Sequence, residues 1–96
     1  MANALVSIQI IPKTVNQEDV IPYVDRAIEV IAAAGVAYRV GPLETTMEGD
    51  LEHLLHIIQL MQDAMVEMGS PSVISQVKIY YRPEGASMDK LTEKYR

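Results

Sequence analysis

The sequence predicts an α+β sandwich in which four antiparallel strands form one sheet and two helices lie on one of its faces. Three observations carry this. Period-two hydrophobic segments stand near either end, two helical apolar stripes lie between them, and the elements follow the order β-α-β-β-α-β.

From Leu5 to Ile11, Val6, Ile8 and Ile10 fall on one side of an extended segment. Ser7 and Gln9 fall on the other, between Leu5 and Ile11. Alternation and β-branching predict a first strand, ended by Pro12. Asn16, Glu18 and Asp19 are cap candidates for a first helix reaching Ala34, with Pro22 in its first turn, where a missing N–H does little harm. Val20, Val24, Ala27, Ile28 and Ile31 form its apolar stripe, and Gly35 suits a left-handed stop.

Val36, Tyr38 and Val40 alternate with Ala37 and Arg39 in a second strand, punctuated by Gly41-Pro42. Leu43 to Glu48 is short and Thr-rich, so a hairpin is the simplest connection. Asp50 is the predicted N-cap of a second helix that runs to Met68 before Gly69 stops it. Leu51, Leu54, Leu55, Ile58, Met61, Met65 and Met68 form its buried stripe, with Met as a flexible gap filler. Val73 to Arg82 alternates as a last strand, Pro83-Glu84-Gly85 ends it, and Ser87 caps a short terminal helix reaching Tyr95.

Right-handed β–α–β crossings put both helices on one side of the sheet. This is the ferredoxin-like arrangement, with the first and third strands central and the far face of the sheet uncovered. On that face Leu5 and Ile11 stand beside Ser7 and Gln9, and exposed apolar residues of this kind predict a partner. A second copy of the chain is the simplest one.

The composition narrows the function. With 96 residues the chain holds one core, so a single domain over residues 1–96 is expected. Thirteen acidic and eight basic residues give a net charge of −5, and the only local basic grouping is Lys90, Lys94 and Arg96. Nucleic acid is therefore not an expected partner. No Cys is present, which removes disulfides, thiol catalysis and Cys-ligated metals together. No signal peptide is read at the N-terminus, and no stretch reaches the ~18 apolar residues of a membrane span. The expected compartment is the cytoplasm.

Gly41-Pro42-Leu43-Glu44-Thr45-Thr46-Met47-Glu48-Gly49-Asp50 is the most informative segment, because it sets hydroxyls, carboxylates and glycines before a helix N-terminus. A ligand-free explanation exists: Thr favours strands, Asp50 caps, and Glu48 suits the positive end of the helix dipole. His53 and His56 lie nearly opposite the Leu51/Leu54/Ile58 stripe and lack an evident third ligand, so they are expected in solvent rather than on a metal. No nucleophile with a partnered base is visible, so no catalytic residue is predicted.

The chain resembles the thiamine-binding protein family. The resemblance is carried by Ser7-Ile8-Gln9-Ile10-Ile11-Pro12, Tyr23-Val24, Tyr38-Arg39-Val40-Gly41-Pro42-Leu43, Thr45-Thr46-Met47-Glu48-Gly49-Asp50 and Val77-Lys78-Ile79-Tyr80-Tyr81-Arg82. It departs at Leu43-Glu44, where the family commonly has Met and a small residue, and at Tyr80, where the family often has Asp. The resemblance implies a non-enzymatic homodimer or homotetramer that binds thiamine, or its hydroxymethylpyrimidine half, beside the sheet. Thiamine is then a bound ligand, not a cofactor.

The chemistry is compatible with that. An aminopyrimidine needs both acceptors and donors, which Gln9, Thr45 and Thr46 supply. A thiazolium is cationic, and Glu48, with Glu44 or Asp50 near it, can balance the charge. Tyr38 offers a ring face or a hydroxyl. The expected ligand residues are Gln9, Thr46 and Glu48, then Ser7, Thr45, Tyr38 and Asn16. A thiamine diphosphate enzyme would need Gly-Asp-Gly and a later Asn, but Leu51 follows Gly49-Asp50 here.

Two other functions fit the same element order: an amino-acid-sensing regulatory module and a ligand-free oligomerisation domain. Enzymatic and RNA-binding relatives fit poorly. Ile11-Pro12-Lys13-Thr14-Val15-Asn16 lacks the Gly-rich phosphate loop and Arg of acylphosphatases, and Phe and Trp are both absent from the sheet.

Overall fold

A computed structural model describes residues 2–16 and 18–95, so Arg96 of the C-terminal basic grouping lies outside the described residues. The elements are β1 (Ala4–Pro12), α1 (Ile21–Ala33), β2 (Ala37–Val40), β3 (Thr45–Gly49), α2 (Leu51–Glu67), β4 (Val73–Tyr81) and a short α3 (Met88–Thr92), followed by a 3-10 turn over Glu93–Tyr95. The strands form one antiparallel sheet in the order β2-β3-β1-β4. This is the predicted ferredoxin-like topology, with β1 and β3 in the middle.

The alternation in β1 sorts its residues as expected. Ala4, Val6 and Ile8 are buried beneath the helices, and Val6 stands opposite the buried Met47 of β3. From α1, Tyr23, Ala27 and Ile31 enter this core, whereas Val24 and Ile28 are only half-buried. The stripe is thus rotated toward Tyr23, whose hydroxyl reaches the Met68 carbonyl at 3.4 Å. Gly35 has φ +78, the left-handed conformation that a Cβ disfavours.

Helix α2 supplies Leu54, Ile57, Ile58, Met61, Ala64 and Met65 to the core. Leu55 and Met68, expected in the stripe, are exposed. Leu55 falls outside the buried face formed by Leu54, Ile57, Ile58 and Met61, and Met68 is already the C-cap residue. The N-terminus holds a second correction. Asp50 occupies the cap position but makes no side-chain hydrogen bond there. Asn3 Oδ1 instead accepts the Leu51 N–H at 3.0 Å.

The far face of the sheet, expected to be bare, is partly covered. After β4 the chain turns back, and Ala86 and Met88 bury themselves against Leu5. The Met88 N–H donates to Glu48 Oε1 at 2.7 Å, and Arg39 reaches both Asp89 and the Thr92 hydroxyl. Ser87 caps α3 as predicted, its hydroxyl accepting the Lys90 N–H at 3.2 Å. Among the described residues, no helix is long and apolar enough to cross a membrane.

Candidate functional site

Strand register places four residues in one row across the far face. Arg39 of β2 stands opposite Thr46 of β3, Thr46 opposite Ser7 of β1, and Ser7 opposite Lys78 of β4. On one side lies the row Ala37, Glu48, Leu5 and Tyr80; on the other, Gln9 pairs with Gln76. The sheet therefore presents a polar line with a cation at each end and hydroxyls in the middle.

Both cations are held by carboxylates from outside the sheet. Arg39 is paired with Asp89 of α3. Lys78 Nζ lies 3.3 Å from Glu44 Oε1 in the β2–β3 turn. That turn is tight: the Gly41 N–H donates to the Glu44 carbonyl at 2.8 Å. Glu44 is thereby held at the mouth of the row.

Ser7 is 8% exposed, and its hydroxyl is buried without a hydrogen-bond partner. Among the described residues no other buried side-chain polar atom is left in this state. A lone buried hydroxyl is unfavourable by about 1–3 kcal/mol relative to a satisfied one. It lines a shallow hollow of about 240 Å³ with Leu5, Glu44, Thr46, Lys78 and Tyr80. A second cleft, of about 370 Å³, opens where β3 has not yet begun to flank β1, and Gln9, Val24, Leu43, Glu44 and Thr45 are among its walls. Glu44 borders both.

The structure brings Ser7 and Thr46 together as register partners, with Gln9 two residues along β1 on the same face. Glu48 shares that face, but its carboxylate is engaged by the Met88 N–H. Thr45 and Tyr38 stand apart: they lie opposite Ile8 and Met47, on the helix-facing side, and Thr45 is buried there. Asn16 lies in the loop after β1 with φ 56, a conformation Asn tolerates well, and is exposed.

Lys78 and Arg39 are the row members that sequence reasoning did not single out. Their place depends on pairing between distant strands, although alternation along β4 already puts Lys78 and Tyr80 on one face. His53 and His56 are exposed, and no group of three or more His, Cys, Asp or Glu among the described residues is placed to hold a metal ion.

The fold and this row define a ferredoxin-like α+β protein with a partly open sheet face carrying an unsatisfied hydroxyl. The chain belongs to the thiamine-binding protein family, whose profile matches residues 6–96. It is 45% identical over 91 residues to a UPF0045 protein of Clostridium perfringens, covering 95% of each chain. Among solved structures it is similar to a domain of unknown function from Bacillus cereus, at 40% identity and a TM-score of 0.91, over 99% of this chain and 92% of that one. A Thermotoga maritima protein provisionally assigned to thiamine biosynthesis or salvage is 30% identical with a TM-score of 0.88, over 98% of this chain and 99% of that one.

Proposed function

We propose that the chain binds thiamine or its hydroxymethylpyrimidine half, without catalysing a reaction, in the hollow above Ser7. The observation that carries this is the orphaned Ser7 hydroxyl beside Thr46, in a member of a family named for thiamine binding. A ligand polar atom would satisfy that hydroxyl. Thr46 and Gln9 supply further donors and acceptors for an aminopyrimidine, Tyr80 supplies a ring, and Glu44 supplies a negative charge for a thiazolium.

We infer a homo-oligomer as well, with a second copy over the part of the face that α3 leaves open. Ile11, Ile74 and Tyr80 are exposed there, and Ile74 is 63% exposed. Apolar groups so arranged favour association.

Titration calorimetry with thiamine and with hydroxymethylpyrimidine tests the ligand; heat-silent titrations at millimolar concentrations would refute it. A native mass spectrum of protein purified from cells reads copy number and any retained small molecule together, and a bare monomer would refute the assembly.

A further inference from the structure

We propose that Lys78 is a specificity-determining residue of the hollow, resting on the thiamine site proposed above: its ion pair with Glu44 resists a ligand that is only cationic and favours one that also carries a phosphate. Lys78 stands directly opposite Ser7 in the β1–β4 register, and its ammonium lies 3.3 Å from the Glu44 carboxylate. Both side chains line the hollow that Ser7 also borders, with its hydroxyl buried at the wall. The charge pair and the unsatisfied group therefore belong to one hollow.

A thiazolium entering this space finds its best counter-ion, Glu44, already taken by Lys78. To bind, it must displace the ammonium, which is then left beside a second cation. A ligand bearing both a cation and a phosphate exchanges the internal pair group for group: Glu44 turns to the thiazolium and Lys78 to the phosphate. Phosphate contacts by Lys are charge-assisted, and opposite charges on ligand and site discriminate between ligands more than they add affinity. Lys78 is 78% exposed along its side chain, so it can swing between these partners without disturbing the core.

The test compares thiamine with thiamine monophosphate by titration calorimetry on the full chain, as native protein, Lys78→Gln and Glu44→Gln. Native protein should bind the monophosphate more tightly than thiamine. Lys78→Gln should weaken the monophosphate and tighten thiamine, each by about two- to fivefold, the range expected for a solvent-exposed charge pair. Glu44→Gln should weaken thiamine. A merely structural effect would move both ligands in the same direction. If native protein binds but Lys78→Gln shifts both ligands alike, or neither, Lys78 has no such role and the thiamine site stands without it. If native protein binds neither ligand, the thiamine site is wrong and the role of Lys78 falls with it.

Discussion

The carboxylate of Glu48 accepts the backbone N–H of Met88 at 2.7 Å, tying the first turn of α3 to the central strand β3. Together with Leu5, Ala86 and Met88 it fixes the C-terminal segment on the sheet face opposite α1 and α2. Removing the acceptor by Glu48→Ala should loosen that segment. A hydrogen bond to a charged acceptor contributes about 1.5–3 kcal/mol, so amide exchange at Met88 and Leu91 should accelerate by about tenfold or more while the β1–β4 amides keep their protection. Glu48→Gln retains an oxygen and should lose less. Unchanged exchange in α3 would contradict this.

Ser7→Ala separates stability from binding. Without ligand the hydroxyl has no partner, so its removal should leave the denaturation midpoint unchanged or raise it slightly. The same variant should bind thiamine more weakly than native protein in calorimetry. A large loss of stability would mean that Ser7 has a partner in solution.

Leu54→Ala should destabilise by about 2–5 kcal/mol, because the side chain is fully buried between the helices and the sheet. Leu55→Ala, one residue along, should change stability by less than about 0.5 kcal/mol in a monomer. Chemical denaturation of the two variants side by side checks the orientation of α2.

Asn3→Ala removes the oxygen that accepts the Leu51 N–H and should cost about 1 kcal/mol. Asp50→Ala removes no cap hydrogen bond, so it should cost less. Thermal unfolding gives the order directly, and the reverse order would return the cap to Asp50.

Gly41→Ala would place a Cβ 2.9 Å from the Glu44 carbonyl, a backbone atom with little room to yield. The turn must shift, at about 1–3 kcal/mol. Glu44 moves with it, so the variant should also alter thiamine affinity in calorimetry.

Much of the fold was legible because its signals are local. The alternation of Val6, Ile8 and Ile10 against Ser7 and Gln9 names both faces of β1, and Leu54, Ile58, Met61 and Met65 name the inward face of α2. What was not legible depends on neighbours distant in sequence. Ile57 and Ala64 are buried although the apolar stripe of α2 did not include them, and Ala64 borders a groove with Val30 and Ala33 of α1, a neighbour that periodicity alone does not reveal. Asn3 caps a helix that begins far along the chain, and its identity as a cap follows only from the pairing of β1 with β3. At the candidate site, Ser7, Gln9 and Thr46 share a face as their strand patterns suggest. Tyr38 and Thr45 face away from it because the β2–β3 register puts them opposite Met47 and across from Val40.

The nine-residue pairing of β1 with β4 has a consequence during synthesis. A central strand receives its outer neighbour only after both helices and the hairpin have been translated. At bacterial or eukaryotic elongation rates this delay is on the order of 3–12 s. Throughout it, β1 sits in a nascent polypeptide that cannot complete its ladder on the β4 side. Sequence separation of this kind also slows refolding from denaturant relative to a helical bundle of equal size.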